Sequence, residues 1–211
     1  MAMARFDPEI VPPQALAQLN AGSRVGLLGG SFNPAHEAHV HISLVALRRL
    51  KLDCVLWLVS PQNPLKGQGE TAPIEKRLER AREIATDPRI EVTAIEQALG
   101  TKYTIDTIEA LQRRFSKARF VWLMGGDNLA QFHRWQRWQD IARRVPFAVI
   151  ARPGFTIKAL AAPAAHLFAD ARVAAAKAAD LADKVPPAWV FLEERLDPAS
   201  STAIRRRGLW R

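Results

Sequence analysis

Residues 29–41 run Gly29-Gly30-Ser31-Phe32-Asn33-Pro34-Ala35-His36-Glu37-Ala38-His39-Val40-His41. Paired glycines let a backbone approach a ligand closely or take a positive φ. Two histidines three residues apart share one side of a helix once it begins. The apolar run Val25-Gly26-Leu27-Leu28 precedes this segment and the helical pattern Val40, Leu44, Leu47 follows it, so it reads as strand, glycine turn and helix start. That order aims backbone N–H groups and imidazoles at one small volume, as polyphosphate sites require. There His36 and His39 could stabilise charge developing on a leaving group, whereas His41 lies about 200° round the helix from His39 and points elsewhere. An ordinary tight turn with capping histidines fits the same residues without chemistry. A metal cluster of His36, His39 and His41 would need a cysteine or carboxylate at ligand spacing, and none accompanies them.

A second cluster sits near the far end of the chain. Ser200-Ser201-Thr202-Ala203-Ile204-Arg205-Arg206-Arg207-Gly208 places hydroxyls at a helix start and guanidiniums one turn on. It is a phosphate-binding device or a plain capped surface helix. The proline-framed loop Pro61-Gln62-Asn63-Pro64-Leu65-Lys66 ends in an ammonium suited to phosphate contact, or to the surface. Asp127, after Gly125-Gly126, could accept from ribose hydroxyls or cap a helix. Phe132, Trp135 and Trp138 follow a helical core spacing, and Trp135 could also stack on an aromatic ligand. Two phosphate devices in one chain favour a nucleoside triphosphate.

The elements needed to position these groups can be read from the apolar pattern. Strands are expected at Arg24–Gly29, Cys54–Ser60, Arg89–Ile95, Phe120–Gly125, Phe147–Ala151 and Ala188–Leu192. Helices are expected at Ala38–Leu50, Pro73–Thr86 and Thr104–Phe115, with Pro73 in a first turn and Thr104 or Asp106 as a cap. Alternation of near-continuous apolar strands with helices implies an α/β, Rossmann-like doubly wound, mostly parallel sheet with helices on both faces. Ligands of such sheets bind at the carboxyl ends of the strands, where Gly29-Gly30, Ser60–Lys66, Gly125–Asp127 and Arg152 fall. Residues Phe155–Lys184 are Ala-rich and weakly patterned, with one further helix expected at Asp170–Ala182.

Composition narrows the class. The chain has 211 residues, 48% of them hydrophobic, enough for one domain with a substantial core. Residues 1–22 are expected to be a poorly ordered extension and residues 23–211 the domain. No apolar run approaches the ~20 residues of a membrane span, and no secretory h-region precedes the domain. The one cysteine, Cys54, lies in an apolar strand and reads as a buried small hydrophobe, so a reduced, cytoplasmic setting is expected. Thirty Lys and Arg against 21 Asp and Glu give a net charge of +9. A basic nucleic-acid-binding module is therefore one candidate class. The cations are dispersed, however, many as pairs at expected helix ends, and a basic surface equally attracts anionic nucleotides.

The motif Gly29-Gly30-Ser31-Phe32-Asn33-Pro34-x-His36-x-x-His39 resembles the opening signature of the HxGH nucleotidyltransferases, and Ser200-Ser201-Thr202-x-x-Arg205 their second signature. Tyr103-Thr104-Ile105-Asp106-Thr107, Gly125-Gly126-Asp127-Asn128-Leu129 and Trp135 make the chain similar to the bacterial nicotinate-nucleotide adenylyltransferase branch. The pattern departs at Ala38, where the family carries glycine. The resemblance implies transfer of an adenylyl group from ATP to nicotinate mononucleotide, giving deamido-NAD and pyrophosphate, with Mg²⁺ held through the ATP phosphates and no protein metal site. It further implies that His36, His39 and Arg205 act on the phosphates, with Gly29, Gly30, Ser31, Phe32, Asn33, Lys66, Ser201 and Thr202 around ATP and Asp127 on its ribose. Thr104, Trp135 and Arg152 would hold the acceptor. Nicotinamide mononucleotide and phosphopantetheine are the alternative acceptors. No specific nucleic acid or membrane partner is expected, and self-association is left open.

Overall fold

The protein is described from a computed structural model covering residues 7–8, 10–20, 22–61, 71–194 and 199–210. In chain order the elements are α1 (Pro13–Asn20), β1 (Arg24–Gly30), α2 (Glu37–Arg49), β2 (Cys54–Val59), α3 (Ile74–Ile84), β3 (Ile90–Thr93), α4 (Ile95–Leu99) and α5 (Thr104–Arg114). There follow β4 (Arg119–Gly125), α6 (Gly126–Gln131), α7 (Trp138–Arg144), β5 (Phe147–Ile150), α8 (Thr156–Leu160), α9 (Pro163–Leu167), β6 (Arg172–Val173), β7 (Trp189–Leu192) and α10 (Ser201–Arg206). The strands form one sheet in the order β3-β2-β1-β4-β5-β7-β6, and every neighbouring pair is parallel. All six residues of β2 are buried, as a strand covered on both faces requires.

Two apolar layers sandwich the sheet. One joins Leu27, Leu56 and Trp122 to α1, α5 and α7 through Leu19, Ile108 and Ile141. The other joins Leu28, Trp57 and Leu123 to α2 and α3 through Ile42, Val45 and Leu78. Strand order reverses between β1 and β4, so the loops leaving their carboxyl ends part and open a crevice there. Cys54 is buried, and burial foremost, with Asp53 and Glu91 adding to it, pushes its thiol up to about 12. It behaves as the expected small hydrophobe. Among the described residues no helix is long and apolar enough to cross a membrane.

Several expectations are corrected. Part of the supposedly loose segment 1–22 forms α1, because Val11, Ala15 and Leu19 are fully buried against the sheet. The expected helix over Asp170–Ala182 does not form. Arg172–Val173 instead adds a seventh strand, and 175–183 runs as 3-10 turns broken at Lys177. Burial of Ala178, Leu181 and Ala182 against the sheet sets that path and overrides alanine's helix propensity. Pro73 lies one residue before α3 rather than within it. Tyr103 takes the cap position of α5, so neither Thr104 nor Asp106 does. Ile95 leaves the strand to open α4.

Candidate active site

The turn after β1 is held by packing and by its own backbone. Phe32 takes a positive φ of 45°, a conformation side chains rarely adopt. Its ring is buried, stacked on Trp57 at 5.0 Å and lying 4.6 Å from the His39 ring. Chain direction then reverses into α2, whose cap residue is His36. The His36 N–H donates to His39 Nδ1 at 3.2 Å. The same Nδ1 lies 3.3 Å from the His36 carbonyl oxygen, so it accepts from the N–H when the ring proton is on Nε2 and donates to the carbonyl when that proton is on Nδ1. Burial, then the charge of His36, holds the His39 pKa well below 6.5. The His36 and His39 rings lie 4.0 Å apart. Beneath them Trp57 Nε1 donates to Ser43 Oγ at 2.8 Å, and Ser43 Oγ donates to the His39 carbonyl at 2.9 Å.

The far end of the chain closes on this turn. Ser201 Oγ donates to the Pro34 carbonyl at 2.9 Å, Arg205 donates to the Asn33 carbonyl, and Arg205 Nη2 reaches Thr202 Oγ1 at 3.4 Å. Ser200 caps α10, its Oγ accepting from Ala203 N–H at 3.2 Å. The two clusters singled out in the sequence, 167 residues apart between Pro34 and Ser201, therefore form one wall.

That wall belongs to a cleft of about 700 Å³ at the carboxyl ends of β1, β2, β4 and β5. Gly29, Gly30, Ser31, Phe32, His36, His39, Thr104, Asp127, Trp135, Arg152, Ser201, Thr202 and Arg205 all line it. Asn33 does not. It is buried, and its Oδ1 accepts from Ala72 N–H at 3.2 Å and from Trp210 Nε1 at 2.8 Å, which ties the turn to the chain's far end. Lys66 lies outside the described residues. The Ala38 methyl is buried and is not part of the cleft wall. His41 is also absent from the wall, as its helical phase requires.

The opposite wall comes from β4 and β5. A Cβ on Gly125 would lie 2.4 Å from Asp127 Oδ1, so glycine there lets the carboxylate fold back over the strand end. Arg152 crosses the crevice, its Nη2 donating to the Ala199 carbonyl at 2.8 Å and its Nε lying 4.0 Å from Asp127 Oδ1. Trp135 packs edge-on against Trp122 and Phe132, with centroids at 6.0 and 5.3 Å. Gly29 also serves Trp122: a Cβ there would sit 2.5 Å from the indole edge. The glycine read as a site of close ligand approach thus first makes room for an aromatic floor.

Sequence reasoning missed Arg77 and Glu96. Arg77, on α3, is buried and donates to four backbone carbonyls: Ala72 at 2.8 Å, Ser31 at 2.7 Å, Ser60 at 2.7 Å and Pro61 at 3.0 Å. It pins the loops after β1 and β2 to one another. Only the helical phase that puts Arg77 on the buried side with Leu78 and Ala81 could have exposed it. Glu96, on α4, is buried yet lines the cleft. Burial pushes its pKa up to about 7, against hydrogen bonds from Thr107 and Ser60 that favour the charged form.

Comparison with known proteins agrees with this geometry. Residues 27–207 match the cytidylyltransferase-like family. A protein from Bradyrhizobium sp. (strain ORS 278) named probable nicotinate-nucleotide adenylyltransferase is 56% identical over 189 residues, 89% of this chain and 98% of that protein. One of the same name from Cereibacter sphaeroides (strain ATCC 17025 / ATH 2.4.3) is 57% identical over 187 residues, 89% of this chain and 99% of that protein. The fold is shared with the Plasmodium falciparum nicotinic acid mononucleotide adenylyltransferase solved with NaAD, at a TM-score of 0.66 and 14% identity, over 87% of this chain and 82% of that one.

Two expectations can be measured. Arg77→Leu is expected to lower stability by at least ~3 kcal/mol in denaturant unfolding, because four carbonyls lose a fork-shaped donor together. Arg77→Lys recovers little, since one ammonium cannot span all four. For Glu96, a pKa raised from 4.5 to about 7 means the folded state holds the proton more tightly than the unfolded chain. Stability from this group therefore falls as pH rises between those values, and the penalty is complete above them. Glu96→Gln is expected to gain stability relative to the parent across that window and then level off, read by melting temperature against pH.

Proposed function

The chain belongs to the nicotinate-nucleotide adenylyltransferases of the cytidylyltransferase-like family, and on that basis we propose that it joins ATP and nicotinate mononucleotide to give deamido-NAD and pyrophosphate. The observation that carries the site assignment is the contact of Ser201 with Pro34 and of Arg205 with Asn33, which makes one anion-binding wall of two distant segments. An oxygen of the acceptor's phosphate attacks the α-phosphorus of ATP in line. The bond from that phosphorus to the bridging oxygen breaks, and pyrophosphate leaves with the electron pair. No protein nucleophile is needed, so placement and charge stabilisation supply the acceleration.

In this reading neutral His39 donates its Nε2–H to the phosphates, and His36 stands beside it. Ser201, Thr202 and Arg205 hold the β- and γ-phosphates, and Lys66 assists them. Ser31 and the backbone at Gly29–Gly30 border the same phosphates, with Phe32 buttressing His39. Asp127 accepts from the ribose. Trp135 stacks on the pyridine ring, Thr104 offers the first free N–H of α5 to its carboxylate, and Arg152 spans the two substrates. Mg²⁺ would be held by the triphosphate. Among the described residues no group of three or more His, Cys, Asp or Glu could hold a metal, and phosphate oxygens are the hard ligands this ion prefers. It would supply charge neutralisation on those phosphates.

Pyrophosphate release with ATP, Mg²⁺ and each of nicotinate mononucleotide, nicotinamide mononucleotide and phosphopantetheine tests the acceptor. Turnover favouring the first is expected, and equal or greater turnover of either of the others rejects the assignment. His39→Ala is expected to cut kcat by roughly 10²–10³-fold while leaving the ATP KM nearly unchanged. A loss confined to KM would make His39 a ground-state contact.

A further inference from the structure

Among the described residues Glu96 is the one buried carboxyl on the cleft wall, and the transfer reaction described above gives it no part. It sits on α4, between the end of β2 and the start of α5. Its main-chain carbonyl accepts from Thr101 N–H at 2.9 Å, so the helix it belongs to is tied to the loop that carries Tyr103 and Thr104. Its side chain reaches further. Ser60, at the end of β2, donates to the carboxyl. Thr107 Oγ1, on the first turn of α5, lies 3.3 Å from Glu96 Oε1 and also 3.3 Å from the Tyr103 carbonyl oxygen. The Thr101 hydroxyl lies 2.8 Å from the same Thr107 oxygen.

A hydroxyl has one proton to give. With the Thr101 hydroxyl donating to it, Thr107 faces two acceptors at equal distance, Glu96 and the Tyr103 carbonyl, and satisfies one of them at a time. We propose that Glu96 is a positioning residue for the acceptor nucleotide, steering the Thr107 hydroxyl between its own carboxyl and the Tyr103 carbonyl and thereby setting the backbone that presents Thr104. A neutral Glu96 donates its own proton to Thr107 Oγ1, and Thr107 then holds the Tyr103 carbonyl. An ionised Glu96 takes the Thr107 proton and leaves that carbonyl with the Thr107 N–H alone, at 3.1 Å, while placing a negative charge on the wall that meets an anionic acceptor. Both effects weaken acceptor binding. The exchange falls within the working range because burial lifts this carboxyl to about 7. This inference rests on the pyridine-nucleotide acceptor proposed above.

The other titratable groups facing the cleft are Lys102 and Tyr103 on the adjoining loop, the His36–His39 pair, Asp127 and the arginines at 134, 152 and 205. All remain in a Glu96→Gln enzyme, and so does the acceptor's own phosphate. A difference between the two pH profiles therefore reports Glu96. Glutamine keeps the size of the side chain and can always donate to Thr107, which makes it a mimic of the neutral acid at every pH.

The test is the KM for nicotinate mononucleotide and for ATP between pH 6 and 8.5 in the parent, Glu96→Gln and Thr107→Val proteins, with melting temperatures as the check on folding. In the parent the acceptor KM is expected to rise about tenfold across the range while the ATP KM changes less than twofold, as loss of a proton-dependent contact predicts. Glu96→Gln is expected to keep a low acceptor KM with a flatter profile. Thr107→Val, lacking the shared hydroxyl, is expected to show a raised acceptor KM with a profile shallower than the parent's but steeper than that of Glu96→Gln, because the charge on Glu96 still changes. Parallel profiles in the parent and Glu96→Gln enzymes, or a KM for ATP that moves with that of the acceptor, overturn the role of Glu96 alone. A parent enzyme that releases no pyrophosphate with nicotinate mononucleotide overturns the acceptor assignment, and this inference falls with it.

Discussion

A charged guanidinium inside the fold, satisfied by main-chain oxygens, is the constraint on which the cleft depends. Arg77 reaches Ser31 beyond β1, Ser60 and Pro61 beyond β2, and Ala72 just before its own helix. Carbonyls at strand ends have left the sheet's ladder and need a donor, and burying them without one is costly. Arginine meets that need with several N–H groups in a fixed plane. One side chain thus fixes the spacing of two loops that a ligand must bridge, and the substrate-facing residues on them inherit their places.

Electrostatic character follows from the same burial. His39 is held well below its ordinary pKa by burial, and its Nδ1 is anchored on the His36 backbone. The first turn therefore offers a neutral, backbone-anchored imidazole, and the positive charge comes from Arg205 across the wall and Arg152 beside Asp127. In the proposed reading a polyphosphate meets donors from one segment and cations from another. The contacts of Ser201 and Arg205 with Pro34 and Asn33 join the two segments into one wall.

How much of this was legible in the sequence depends on the range of the interaction. The strands of the central sheet were readable because β2 and β4 are continuous apolar runs, and the first turn because glycine and histidine spacing is local. What escaped depends on tertiary partners. Alanine content over 170–182 signals a helix, yet packing against the sheet turns the segment into a short strand and 3-10 turns. Asn33 sits inside a ligand-binding motif, but its side chain is taken by Ala72 and by Trp210, which no local pattern connects to it. Arg77 and Glu96 look like ordinary charged residues of amphipathic helices until burial reveals them. Gly29 reads from the sequence as a place of close ligand approach, and only the fold shows that Trp122 is the neighbour its missing side chain makes room for.

The clasp between the first turn and α10 bears on how the molecule comes into being. All seven strands lie before Glu193, whereas Ser201, Arg205 and Trp210 emerge from the ribosome after them. Domains fold as units during synthesis, earlier segments first. The sheet can therefore assemble while the proposed anion wall is still incomplete, and the grip on a triphosphate proposed for that wall waits on the emergence of α10.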